Sequence, residues 1–129
     1  MRGSCLCGAV AFEASGETPP VVACHCTQCR KWSGHFWAAT SVAMADFRLI
    51  RDEGLRWFRA SDKASRGFCA LCGSSLFWKP DGHDRMSFSP GAVDGPTGLA
   101  TGHHIFMDEA GDYYRISDGT PHYPGDDEA

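Results

Sequence analysis

The sequence predicts a mainly β protein made of short strands joined by many turns. Fifteen glycines and seven prolines are scattered through 129 residues, which interrupts the chain too often for long helices. Short apolar and aromatic runs recur between those turn formers, sized for strands and too short for independent helices. Seven cysteines fall in closely spaced groups, the pattern of metal ligands that stabilise a domain with a small core.

The elements follow in order. Residues 8–13 form a short apolar stretch, closed by Ser15, Gly16, Pro19 and Pro20, and read as a strand and loop. A second strand is expected over 21–24. Residues 27–32 suit a short helix, with Thr27 as N-cap and Gly34 as its stop, which places Cys29 on the first turn. The segments 37–42, 47–50, 55–60, 66–68, 74–78 and 85–89 continue the strand pattern. Pro90-Gly91 and Gly95-Pro96 mark a looped connection before strands at 104–107 and 113–116. No repeat or linker divides the chain, so one domain is expected over 1–123, followed by an acidic tail over 124–129.

The charge balance narrows the partners. The net charge is −4, and Asp126, Asp127 and Glu128 supply three of the negatives. The strongly basic face that phosphate-backbone binding requires is not supported, so no nucleic-acid partner is expected. No apolar run reaches the roughly 18 to 20 residues that span a bilayer, and Met1 to Cys5 lead straight into a cysteine motif, so a cytoplasmic protein without a membrane partner is expected. An odd number of cysteines argues against a closed disulfide framework, and a reducing compartment keeps thiols free for metal.

The cysteines divide by spacing. Cys5-x-Cys7 and Cys69-x-x-Cys72 are two close pairs, each followed at once by a glycine, Gly8 or Gly73. Two such pairs complete a tetrahedral four-thiolate site, and glycine takes the positive φ that lets a tight turn aim backbone N–H groups at sulfur. Zinc is the expected metal, with iron also compatible with the ligand type. The middle group, Cys24, Cys26 and Cys29, has three thiolates and no fourth cysteine. Three protein ligands leave a position for water or substrate, the pattern of a catalytic zinc. The competing reading is that a histidine closes it, from among His25, His35, His83, His103, His104 and His122. Three thiolates on a divalent metal carry about −1 net charge, which suits sulfur chemistry. Arg30 and Lys31 directly follow, placed to offset that charge or hold substrate carboxylates, against the reading of a solvated helix face. The helix N-terminus also favours thiolate there.

At these residues the chain resembles the glutathione-dependent formaldehyde-activating enzyme family, whose domain is shared with centromere protein V. The resemblance rests on Cys5-x-Cys7-Gly8, on Cys24-His25-Cys26-x-x-Cys29-Arg30-Lys31 with Gly34 and Phe36, and on Arg66-x-Phe68-Cys69-x-x-Cys72-Gly73-x-x-Leu76. It extends to His104-Ile105 near the end, whereas Asp112-Tyr113-Tyr114 stands where the family commonly has a later tryptophan. The resemblance implies small antiparallel sheets around a structural zinc, the β-tent. It also implies two zinc ions, structural at Cys5, Cys7, Cys69 and Cys72, and catalytic at Cys24, Cys26 and Cys29. The implied reaction is carbon–sulfur lyase chemistry that joins glutathione and formaldehyde or reverses that step. On this reading Arg30, Lys31 and Arg66 are candidate anchors for the glutathione carboxylates, and Trp32, Phe36 or Trp37 candidate pocket walls. The alternative is a non-catalytic zinc-binding interaction module.

Overall fold

The structure is a computed structural model that describes residues 1–126. The described residues hold ten strands, one α-helix and three 3-10 turns, as the turn-rich composition predicts: β1 (Arg2–Ser4), β2 (Ala11–Ala14), β3 (Val21–Cys24), α1 (Thr27–Ser33), β4 (Trp37–Ala43), β5 (Phe47–Arg51), β6 (Leu55–Arg59), β7 (Ala64–Cys69), β8 (Ser75–Pro80), β9 (Arg85–Phe88) and β10 (Thr101–Ile105). The fold is mainly β with small sheets. Two compact units form, one from Met1–Pro19 and Thr40–Gly98, the other from Pro20–Ala39 and Leu99–Ala129.

The first unit is antiparallel throughout. β1, β2 and β5 form a three-stranded sheet, and the second half of β4 runs beside β9, then β8, β7 and β6. Its core is aromatic: Phe12 of β2 meets Phe77 edge-on at 5.3 Å between ring centroids, Phe88 at 5.4 Å and Phe47 at 5.8 Å. Phe12, Phe77 and Phe88 are fully buried among Val10, Val42, Leu76 and Met86. Each such ring contributes about 1.5–3 kcal/mol relative to exposure. Cys5 and Cys69 belong to the same buried cluster, so the four-cysteine set is continuous with the core.

The second unit departs from the antiparallel expectation. β3 pairs antiparallel with the first half of β4, but parallel with β10, with Ala23 opposite His104 and Cys24 opposite Ile105. Two segments that far apart in sequence need no tight turn between them, and parallel pairing is then open to them. The strand expected over 113–116 is absent: Tyr113 lies in a turn and 114–116 join no ladder, and the Tyr113 and Tyr114 rings lie against each other and against His35. The chain beyond runs parallel to β10 at His122, where His104 N–H donates to Pro121 O and Tyr123 N–H to His104 O. Pro124 and Gly125, at the start of the expected tail, accept backbone hydrogen bonds from Asp108 and Phe106, while 127–129 lie outside the described residues.

Candidate metal centres

In the first unit two turns bring four sulfurs together. Cys5, Cys7, Cys69 and Cys72 present Sγ atoms that all lie within 4.8 Å of one another. The sulfurs of Cys5 and Cys7 are 3.7 Å apart, and those of Cys7 and Cys69 3.8 Å. A tetrahedron with metal–sulfur bonds of 2.3 Å has edges of about 3.8 Å, so these separations fit a four-thiolate metal such as zinc and are far too long for a disulfide. Gly8 and Gly73 take φ of 84° and 81°, in the left-handed region that closes each turn after its second cysteine. The turn at Gly8 brings the Val10 N–H within 3.2 Å of Cys5 Sγ, and Ser74 Oγ lies 3.2 Å from Cys72 Sγ.

The four thiols compete for charge. The Ser74 hydroxyl and amide hold Cys72 down at about 5. At Cys7 the Ala9 amide favours the thiolate, yet desolvation and the sulfurs of Cys72, Cys5 and Cys69 push it up to about 11. A cation is what allows all four to ionise together.

Sequence reasoning missed Gly54. A Cβ at that position would lie 2.7 Å from Cys69 Sγ and 3.0 Å from the Ala9 Cβ, and the Gly54 backbone bonds both turns through Ala9 O and Ala70 N–H. Nothing local to Asp52-Glu53-Gly54 distinguishes this glycine from any other turn former. Gly54→Ala is expected to destabilise the protein by about 1–3 kcal/mol and to speed metal loss to a chelator, measured by thermal melting and a colorimetric zinc assay.

In the second unit Cys24, Cys26 and Cys29 form a three-sulfur set, again within 4.8 Å. Cys24 ends β3, and Cys29 is buried on the first turn of α1. The N-cap is Cys26, where Thr27 was expected: Cys26 Sγ accepts from the Cys29 N–H at 3.3 Å, and Thr27 instead donates its N–H and hydroxyl to Glu109. Gly34 ends the helix in the left-handed region, as its position predicts. The Cys24 thiol is pushed up by the Cys26 and Cys29 sulfurs and then by burial, so this set too needs a cation to ionise fully. Among the described residues no histidine or carboxylate joins the three sulfurs. His25 faces elsewhere: Nδ1 meets the Tyr114 hydroxyl at 2.5 Å and Nε2 meets His104 Nδ1 at 2.8 Å.

Arg30 and Lys31 lie in the last turn of α1, and buried Arg30 Nε has no hydrogen-bond partner. Trp32 packs edge-on against buried Trp37 at 5.2 Å, and Phe36 lies against His25 at 4.9 Å. Arg66 is buried at 5 % exposure in β7 of the first unit.

A hydrogen-bonded chain continues from His25. His104 Nε2 meets Asp118 Oδ2 at 2.7 Å, and Asp118 Oδ1 accepts from the Thr120 N–H at 3.0 Å and its hydroxyl at 2.7 Å. His104 first, then Thr120, hold Asp118 well below the usual carboxylate range. Burial pushes His25 down to about 4. It also raises the Tyr114 phenol, against the Gly111 amide and the charge of Arg30. Asp118 and His104 carry no cysteine-like spacing signal: the parallel β3–β10 pairing brings in His104, and Asp118 joins through its contact with His104 Nε2.

Two cysteine clusters on small, mainly β units are each arranged so that they could hold a metal ion. The family model for the glutathione-dependent formaldehyde-activating enzyme matches residues 1–109, and the chain belongs to that family. It is 32% identical over 77 residues to an uncharacterized lyase of Schizosaccharomyces pombe, a match that covers 60% of this chain and 56% of the relative, so the chain spans little more than half of that protein's length. A crystal structure of a Rhodobacter sphaeroides protein shares the fold, with a TM-score of 0.66 and 24% identity over 76% of this chain and 92% of that one. No helix among the described residues is long and apolar enough to cross a membrane.

Proposed function

We propose that this protein is a zinc-dependent carbon–sulfur lyase-type enzyme acting on glutathione and formaldehyde, or on a related glutathione adduct. The observation that carries the reading is the set of three sulfurs, Cys24, Cys26 and Cys29, with no fourth protein donor among the described residues. Cys24, Cys26 and Cys29 would hold the zinc, whose positive charge would favour the glutathione sulfur as its thiolate near neutral pH. A second zinc at Cys5, Cys7, Cys69 and Cys72 is structural. In the synthetic direction the thiolate sulfur bonds to the formaldehyde carbon, the carbonyl π pair moves to oxygen, and that oxygen takes up a proton equivalent to the one released when the thiol ionised; the reverse breaks the same bond.

The chain's own groups orient the substrate. Arg30 and Lys31, adjacent in the last turn of α1, hold the two carboxylates of glutathione. Trp32, seated on Trp37, provides an apolar wall. Membership of the family and a lyase-named relative support this reading.

Leu6 and Leu71 favour a second reading, a non-catalytic zinc-binding interaction module. They project at 88% and 73% exposure from the two turns of the four-cysteine set. Titrating glutathione into cobalt-substituted protein separates the two. An enzyme of the proposed kind is expected to show altered thiolate-to-cobalt absorption as glutathione binds; an unchanged spectrum at millimolar glutathione would sink the enzyme reading and leave the module.

A further inference from the structure

Three metal-ligand side chains meet at the seam between β10 and the segment beyond it, all within the second unit. His104 and His122 are partners in a parallel bridge, with the His104 N–H donating to Pro121 O and the Tyr123 N–H to His104 O. Bridge partners carry their side chains on one face of the pair, and the two imidazole centroids lie 4.9 Å apart. The Asp118 carboxylate reaches both rings: His104 Nε2 is 2.7 Å from Oδ2, and His122 Nε2 is 3.9 Å from Oδ1. One ligand atom from each of the three lies within 4.8 Å of the other two.

A buried histidine beside a carboxylate is often a hydrogen-bonded pair and nothing more. Three features here go beyond such a pair. His122 is set on the same face as His104 by the backbone pairing, and its Nε2 is turned to the same carboxylate. The inner groups are held from behind: His104 Nδ1 is 2.8 Å from His25 Nε2, and Asp118 Oδ1 accepts the Thr120 N–H and hydroxyl. Such outer contacts orient the ligands of metal sites. The set also opens outward, with the His104 side chain 3% exposed but those of Asp118 and His122 39% and 34%, which gives an ion a way in.

We propose that His104, Asp118 and His122 form a third metal site, separate from both cysteine sets, which takes a divalent transition-metal ion of the zinc class and clamps the 118–123 segment to β10. Two imidazole nitrogens and one carboxylate suit Zn2+, Co2+, Ni2+ or Cu2+, whereas Mg2+ and Ca2+ prefer oxygen throughout. Donors at about 2.0–2.1 Å from a four-coordinate ion are about 3.3 Å apart. That lies between the 2.7 and 3.9 Å found here, so loading parts His104 from Asp118 slightly and draws His122 in. With three nitrogen and oxygen ligands and one side open to water, the site holds its ion less tightly than the cysteine sets and fills when metal is added. It makes no use of glutathione chemistry and stands whether or not the proposed function does.

Cobalt titrated into the zinc-loaded full chain reads the site. One further equivalent is expected to bind with weak visible absorption, no thiolate-to-cobalt absorption and no release of zinc, because the set contains no sulfur. His122→Ala, at a half-buried position, is expected to lose that equivalent, and Asp118→Asn, which keeps the side chain's shape, is a second variant expected to lose it. His83→Ala, at an exposed histidine outside the set, is expected to keep it. Thr120→Val removes one of the two bonds that orient Asp118 and is expected to weaken cobalt binding by about tenfold. The His104 and Tyr123 amides bridge the seam, and at free cobalt of about ten times the dissociation constant their hydrogen exchange is expected to slow by about tenfold in wild type and not in His122→Ala.

No further equivalent at submillimolar free cobalt would overturn the site. So would thiolate-to-cobalt absorption with zinc release, which would put the added metal on the cysteines. An equivalent retained by both His122→Ala and Asp118→Asn would place the ion elsewhere, on the acidic C-terminal residues or another histidine, and would overturn the assignment as well. Binding that leaves the exchange of both amides unchanged would overturn the clamp.

Discussion

Cys72→Ser is expected to leave the protein without a stable fold. A structural zinc contributes on the order of 10–16 kcal/mol of apparent binding free energy to folding, about the whole net stability of an ordinary domain. Cys5 and Cys69 of the four-cysteine set belong to the core cluster around Phe12, Phe77 and Phe88, and the set ties the N-terminal turn to the β7–β8 turn. Cys72 itself is only half-buried, so its loss opens no large cavity, and a collapse would report the metal instead of packing. The expected result is insoluble protein, or soluble protein with no cooperative melt by circular dichroism, and wild type stripped by a strong chelator should behave alike. A cooperatively melting Cys72→Ser protein with wild-type stability would show that the set is not structural.

The division of the seven cysteines was legible in the sequence because it depends on spacing of a few residues, and turn chemistry is local. Cys5-x-Cys7-Gly8 and Cys69-x-x-Cys72-Gly73 each carry their own turn signal, and the structure closes both with positive-φ glycine. The strand over Val21–Cys24 and the helix stop at Gly34 were local in the same way. The rest depends on contacts between distant segments. Thr27 has the chemistry of an N-cap, but the cysteine before it takes that place because Glu109, 82 residues further on, captures Thr27's donors. The aromatic run at 113–116 has strand propensity, yet Tyr113 and Tyr114 pack on His35 and on each other. The line from Tyr114 to Asp118 was invisible because it is assembled across the parallel β3–β10 pair, and no short motif encodes a parallel register.

Cys26→Ser is expected to separate the second site from the fold. Cys26 has two roles: its sulfur belongs to the three-sulfur set, and it caps α1 by accepting the Cys29 N–H. Serine is among the preferred N-cap residues, so its hydroxyl takes over the second role while the ligand set falls from three thiolates to two. The helix and the β3 strand before it therefore have no reason to unfold, in contrast to Cys72→Ser. The expected protein is soluble, melts cooperatively, retains one zinc per chain where two are expected for wild type, and gives no spectral response to glutathione after cobalt loading. Metal analysis by plasma mass spectrometry and the cobalt titration check the two halves independently. Retention of both metals would mean that Cys26 is not a ligand. Loss of one metal with an intact glutathione response would place the substrate sulfur away from this centre, and with it the chemistry assigned to Cys24, Cys26 and Cys29.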